Sequence, residues 1–182
     1  MDRERGFALL PEGFCVHFAP SGPYGPWKAR LAGLYDRMRD AGRLRAFFYD
    51  MDREPTIGEW LAYAGRPQYR FLIVGDAARD APLGFLNVEA GRFAHFCTLP
   101  AAPRARLVAA GRQALAWAGR SFGIGELFGL TPACYRHALA YVRSAGFTPL
   151  ARLQKAVYCR GRWRDAVLSR WRRGGGERRE AA

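Results

Sequence analysis

The chain has 182 residues, a net charge of +13, 49% hydrophobic residues and 14% aromatic residues. This composition excludes a disordered chain, and the length is enough to bury a core without disulfides or a metal. It contains no run of the roughly 18 apolar residues that a membrane span needs, and the N-terminus MDRERGFALL lacks the pattern of a signal peptide. We therefore expect a cytoplasmic protein.

The positive charge is almost entirely arginine. A guanidinium group makes paired hydrogen bonds with phosphate and carboxylate groups, so the excess suits an anionic ligand or nucleic acid. Coding composition is an equally simple cause. Charge alone does not separate these readings.

The four cysteines are spread singly along the chain, at Cys15, Cys97, Cys134 and Cys159. There is no CxxC pair for a metal or a redox site, and a disulfide scaffold is unusual in a chain of this length. We expect small core residues and no metal site.

The first elements are predicted from hydrophobic spacing. Residues 14–20, FCVHFAP, form a short strand, and apolar residues at helical spacing predict a helix over 27–42. A second helix is predicted in TIGEWLAYAG, where Thr56 and Glu59 have the spacing of a capping box. The aromatic residues of both helices have the spacing of core residues.

Three strands follow, at 69–76, 82–90 and 92–99, with short connections that predict a meander. Next come an alanine-rich helix at 105–120, a strand at 126–132 and a helix at 135–146. The remaining segment predicts a hairpin that turns at Arg160-Gly161. Residues 172–182, RRGGGERREAA, are predicted to form a disordered basic tail, which leaves residues 1–171 as a single domain.

Four stretches in this order carry a family resemblance. They are FAHFCTLPAAPRARLVAAGRQALAWA, ELFGLTP, YRHALAYVRSAGF and GRWRDAVLSRW. Together they resemble the strand, pyrophosphate loop and helix, the following strand, the "N..A…Y…GF" segment and the closing hairpin of the GCN5-related N-acetyltransferases (GNAT). The resemblance covers roughly residues 69–171 and implies an α/β fold with a mixed, mostly antiparallel central sheet flanked by helices.

The resemblance also implies a reaction, in which an acetyl group passes from acetyl-CoA, the co-substrate, to an unidentified amine by direct attack. In the family, CoA bonds to a strand end and to loop amides at the start of a helix. The matching positions here are Cys97, Thr98, Leu99, Arg104, Ala105, Arg106, Leu107, Val108 and Ala109. Leu107 stands where the family has its central glycine, so its side chain either obstructs a phosphate or only alters the loop.

Three residues are candidates for proton transfer. His95 matches the position where histone-type members of the family carry a glutamate, and it is either a general base or a half-buried strand residue. Glu89, on the preceding strand, is either a further candidate or a solvent-facing carboxylate. Tyr135 matches the family asparagine and is the candidate proton donor, because the family tyrosine position holds Val142 and Tyr141 lies about 100° around the helix.

Two other functions compete with this one. Departures from the family motifs are also expected of a catalytically inactive GNAT-fold protein kept for binding or assembly. The segment RGRWRDAVLSRWRR interleaves arginine with tryptophan, as nucleic-acid-binding proteins do, but a solvated edge hairpin is the favoured interpretation. The predicted partners are therefore acetyl-CoA and an amine acceptor, with nucleic acid less favoured and no membrane.

Overall fold

The computed structural model describes residues 6–18 and 26–174. Most of the predicted tail, from residue 175 on, and the end of the first predicted strand lie outside the described residues. The strands are β1 (Phe7–Leu10), β2 (Phe14–Phe18), β3 (Tyr69–Asp76), β4 (Ala81–Glu89), β5 (Phe93–Thr98), β6 (Glu126–Pro132), β7 (Thr148–Cys159) and β8 (Arg162–Arg172).

The eight strands of the described residues belong to one sheet, in the order β1-β2-β3-β4-β5-β6-β8-β7. Neighbouring strands are antiparallel except for β5 and β6, which are parallel. The predicted meander of β3, β4 and β5 is confirmed, as is the final hairpin, whose turn is Arg160-Gly161. Strand β1 was not predicted, because its four residues are too few for an alternating pattern.

Within residues 6–18 and 26–174, five α-helices flank the sheet. They are α1 (Pro26–Asp40), α2 (Leu44–Phe47), α3 (Ile57–Ala64), α4 (Arg104–Ser121) and α5 (Arg136–Ser144). The capping box of α3 is confirmed: the Thr56 hydroxyl accepts the Glu59 amide at 3.3 Å, and the Glu59 carboxylate accepts the Thr56 amide at 2.7 Å. Helix α2 is a single turn without a periodic signal, and it was not predicted.

The two faces of the sheet have separate cores. One cluster joins α1, α2 and α3 to the sheet through residues such as Leu31, Trp60 and Phe85. The other joins α4 and α5 to the opposite face through residues such as Leu86 and Leu115. Because side chains alternate along a strand, neighbouring β4 residues supply both clusters. The predicted mixed, mostly antiparallel sheet flanked by helices is confirmed.

Three of the four cysteines are core residues as predicted, but Cys134 is exposed. Cys134 lies in the turn between β6 and α5, where the chain leaves the sheet. None of the helices in the described ranges is long and apolar enough to cross a membrane.

Candidate functional site

The sheet is divided between its parallel neighbours, β5 and β6. These strands are in register only at Phe93 and Phe128, whereas β5 stays paired with β4 as far as Thr98. Beyond Phe93 the two strands diverge and enclose an open cleft of about 1120 Å³. Along this cleft, the β5 edge has no partner strand within the described residues.

The cleft gathers several residues singled out from the sequence. His95, Cys97 and Thr98 line it from β5, and Tyr135 lines it from the start of α5. The opposite wall comes from the α2–α3 region, which includes Asp50, and from the tip of the β7–β8 hairpin. Glu89 is not among the lining residues, but it reaches the site through His95.

His95 and Glu89 form a hydrogen-bonded pair across β5 and β4. His95 lies opposite Asn87, and Glu89 is two residues further along the same strand. The His95 Nε2 to Glu89 Oε2 distance is 3.0 Å, and the side chains are 39% and 36% exposed. A carboxylate that accepts the Nε2 hydrogen leaves Nδ1 as the proton acceptor of a neutral imidazole. The pair therefore has the arrangement of an oriented base.

Tyr135 is held at the other side of the cleft, at the N-cap of α5. Its hydroxyl accepts a hydrogen bond from the Cys159 thiol at 3.6 Å, and the guanidinium of Arg160 lies 5.6 Å from its ring centre. Burial and the Cys159 thiol raise the pKa of Tyr135 to about 12. The hydroxyl is therefore protonated at neutral pH and can donate a proton.

Val142, at the family tyrosine position, and Tyr141 beside it also line the cleft. Val142 is buried in the core. The Tyr141 hydroxyl donates to the Leu107 carbonyl at 3.4 Å, and a Cβ on Gly111 would overlap that hydroxyl. Burial raises the pKa of Tyr141. Tyr141 thus connects α5 to α4.

The segment matched to the pyrophosphate loop lies inside α4. The helix begins at Arg104, one residue earlier than predicted, and the Leu107 amide donates to the Pro103 carbonyl at 3.1 Å. The N–H groups of Leu107, Val108 and Ala109 therefore belong to the helix ladder. Only the amides of Arg104, Ala105 and Arg106 lack intrahelical acceptors.

Leu107 packs against the core, beside the small cavity that Phe96 and Gly111 also line. Its side chain is therefore turned toward the sheet and does not stand over the free amides of the first turn. Those amides can donate hydrogen bonds to an anion, and the macrodipole of the 18-residue helix favours a negative charge at this end.

The two arginines of this turn have different surroundings. Arg106 donates to Asp76 at 2.9 Å and lies 4.7 Å from the Phe14 ring centre, so its guanidinium is already used within the fold. Arg104 is exposed, and its contact with the Ser144 hydroxyl is long, at 3.5 Å. Of these two arginines, Arg104 is therefore the one that is available to bind a phosphate group.

The Asp76–Arg106 pair predicts an acid-dependent stability. Burial by itself raises the pKa of Asp76, but the hydrogen bonds from Arg106 and the Ala78 amide outweigh burial and lower it. A carboxyl whose pKa is lower in the folded protein stabilises the fold at neutral pH, and this stabilisation is lost as the pH falls through the lowered pKa. We expect Asp76→Asn to lower the thermal midpoint at pH 7, and we expect this difference from wild type to shrink as the pH falls through the lowered pKa of Asp76.

The measurement is the thermal midpoint of both proteins across this pH range. Asp80→Asn, on the same turn, is the control, because the Asp80 side chain is 80% exposed. An Asp76→Asn effect that is the same at every pH would contradict the assignment.

No family model and no curated protein matches the sequence. Solved structures do match. An acetyltransferase from Salmonella typhimurium that modifies the N-terminal serine of ribosomal protein L7/L12 has a TM-score of 0.72 at 12% identity, over 91% of this chain and 98% of that one. Spermidine N-acetyltransferase from Vibrio cholerae, in complex with CoA and spermine, has a TM-score of 0.66 at 12% identity, over 90% and 97%.

The ribosomal-protein-S5-alanine acetyltransferase of Vibrio fischeri matches as well, with a TM-score of 0.65 at 12% identity over 89% of this chain and 94% of that chain. At such low identity these likenesses establish a shared fold. They leave the chemistry of the cleft to be argued from its own residues.

Proposed function

We propose that this chain, which has the fold of the GCN5-related N-acetyltransferases, is an acetyl-CoA-dependent N-acetyltransferase. The observation that carries the proposal is the divergence of β5 and β6 after Phe93. It exposes a strand edge along a cleft, and the pantetheine arm of CoA contains amide groups that can bond to such an edge. The structural neighbours support the proposal, since one of them was solved with CoA bound.

The first turn of α4 is the proposed position of the CoA pyrophosphate. Its free amides and the exposed Arg104 offer hydrogen bonds and positive charge, and Leu107 does not cover them. Cys97, Thr98 and Leu99 lead from β5 toward this turn. The chain segment that lines the cleft thus leads on to the first turn of α4.

His95 and Tyr135 are the proposed acid–base residues. His95 takes a proton from the acceptor ammonium, and the free amine attacks the carbonyl carbon of the thioester. The C–N bond forms and the C–S bond breaks. Tyr135 gives a proton to the departing thiolate of CoA, and the second proton released by the acceptor nitrogen replaces it on the Tyr135 hydroxyl. Direct attack needs no covalent enzyme intermediate, and holding both substrates together supplies much of the acceleration.

A catalytically inactive binding protein is the alternative. Such a protein has no need of an oriented base and a protonated hydroxyl on the same cleft, yet His95 and Tyr135 both line it. The acceptor is taken to be an amine because the neighbours are named for a ribosomal N-terminal serine and for spermidine.

The test of CoA binding is the thermal midpoint with and without saturating acetyl-CoA. A ligand at about 100 times its Kd stabilises a protein by about 2.7 kcal/mol, or roughly 5 to 10 °C for a chain of this size. We expect such a rise in wild type and a smaller one in Arg104→Ala, which loses the exposed arginine at the start of α4. Arg120→Ala removes an exposed arginine at the other end of the same helix and is the matched control.

Release of the CoA thiol in the presence of amines then reports turnover. A rise in midpoint without thiol release from any amine would favour the non-catalytic alternative. No rise would refute CoA binding in this cleft.

A further inference from the structure

The ionisable side chains that line the cleft are mostly basic. Its lining includes five arginines and two carboxylates: Arg43, Arg66, Arg136, Arg160, Arg164, Asp50 and Glu59. Glu59 is already engaged, because Arg53 binds both of its carboxylate oxygens at 2.6 and 2.8 Å and Thr56 donates to one of them. These hydrogen bonds lower the pKa of Glu59 to about 2. The charge that the cleft offers to a ligand is therefore positive.

Among the arginines that line the cleft, Arg164 is the one with a buried nitrogen that lacks a hydrogen-bond partner within the described residues. It is half-buried on β8, and its Nε is buried with no hydrogen-bond partner among the described residues. A buried donor without an acceptor is destabilising, and more so when the group is charged. Arg164 also lines the cleft, so its guanidinium can donate hydrogen bonds to an anionic ligand there.

The carboxylates of β8 and of the neighbouring strand β6 are engaged away from the cleft. Asp165, the next residue, accepts hydrogen bonds from the Lys155 amide and the Arg152 side chain. Glu126 pairs with Arg170 and Arg172. Within the described part of the chain, no ion pair engages Arg160 or Arg164. Carboxylates thus pair with Arg152, Arg170 and Arg172 of the hairpin, and the two arginines that line the cleft have no such partner among the described residues.

Arg164 stands next to the proposed reaction site. The Ala133 amide donates to the Asp165 carbonyl at 2.8 Å, which ties the Arg164 segment to the turn that carries Tyr135. Arg160 lies over the Tyr135 ring. None of residues 99–109 lines this cleft, so the arginines are separate from the first turn of α4. An anion held here belongs to the acceptor and not to the CoA pyrophosphate.

We infer that the acceptor is an amine with a carboxylate or phosphate group close to its nitrogen, and that Arg164, assisted by Arg160, binds this anion. The inference rests on the proposed acetyl transfer and narrows its substrate class. A polyamine would bring only positive charge to a cleft that is already positive. A carboxylate or phosphate matches the paired donors of a guanidinium.

The experiment uses matched amines. β-Alanine and the dipeptide amide Gly-Asp-NH2 carry a carboxylate, and O-phosphoethanolamine carries a phosphate; propylamine, Gly-Asn-NH2 and ethanolamine are their partners without the anion, and spermidine is the polycationic competitor. Thiol release from acetyl-CoA gives kcat/KM for each amine, and the thermal midpoint with each amine alone reports binding without CoA. The carboxylate and phosphate arms distinguish the two sources of the anion.

At least one anionic amine is expected to exceed its partner without the anion by about tenfold or more in kcat/KM. Arg164→Gln should remove most of this preference and leave the acetyl-CoA shift unchanged. Arg162→Gln removes an exposed arginine of the same strand that does not line the cleft, and it should retain the preference within about twofold.

Failure of the inference looks different from failure of the proposed function. Thiol release that is equal for amines with and without the anion, or highest with spermidine, would overturn the anion site and leave acetyl transfer standing. If no amine releases thiol, the proposed function fails, and midpoint shifts with the amines alone still decide whether Arg164 binds an anion. Equal effects of Arg164→Gln and Arg162→Gln would refute the role of Arg164.

Discussion

His95→Gln is expected to lower kcat by about 10²–10⁴-fold while acetyl-CoA still raises the thermal midpoint of the variant. The amide of glutamine keeps polar character at this position but cannot accept a proton near neutral pH. The Glu89 carboxylate loses its imidazole partner without leaving a buried charge, because Glu89 is 36% exposed. The measurement is thiol release from acetyl-CoA at saturating amine, beside the midpoint with acetyl-CoA.

His137→Gln is the matched control, because His137 also lines the cleft but has no carboxylate partner among the hydrogen bonds of the described residues. Glu89→Gln should lower kcat by about tenfold, since it loosens the orientation of the imidazole without removing it. Added imidazole should restore part of the rate in His95→Ala. Full activity in His95→Gln would show that the amine reaches the thioester already deprotonated or through another base.

Gly84→Ala is expected to lower the thermal midpoint by roughly 3 to 10 °C, corresponding to about 1–3 kcal/mol. Gly84, on β4, has a φ of +155°, and a Cβ there would overlap the carbonyl oxygen of Cys97 on the neighbouring strand. Backbone atoms cannot turn aside as a side chain can. Strand β5 must therefore move away from β4 at Cys97 and Thr98, where the cleft is lined.

The control is Gly33→Ala, on the exposed side of α1, where a Cβ meets nothing within 4 Å. Alanine is the better helix former, so this midpoint should be unchanged or slightly higher. Because Gly84→Ala displaces the proposed CoA-binding edge, it should also reduce the acetyl-CoA shift. A stable Gly84→Ala protein with a full shift would show that β5 tolerates the displacement.

Elements with strong local signals were predictable from the sequence. The alternating strands at 69–76 and 126–132 have the observed bounds, and the Thr56–Glu59 pair marks the start of α3. Short elements were not predictable: β1 is stabilised by pairing with β2, and α2 by packing against the core. Their causes lie in tertiary contacts that a window of sequence does not contain.

Some features of the candidate site were likewise predictable from the sequence, and others were not. His95 and Tyr135 were placed through family motifs, and the structure puts both on one cleft. The His95–Glu89 hydrogen bond depends on the register of two strands, which the separate patterns did not reveal. Arg164 was seen only as part of an arginine-rich segment, because nothing local indicates that the hairpin tip folds back over the cleft.

The single register pair between β5 and β6 also bears on what sets the width of the cleft. Strands β1–β5 form one hydrogen-bonded block and β6, β8 and β7 form another, joined through Phe93 and Phe128. Away from this junction, the blocks are held at their spacing by side chains of a shared core, in which Leu86 and Leu127 both take part. The room available to a substrate is therefore a property of interior packing, and substitutions far from the cleft can change it.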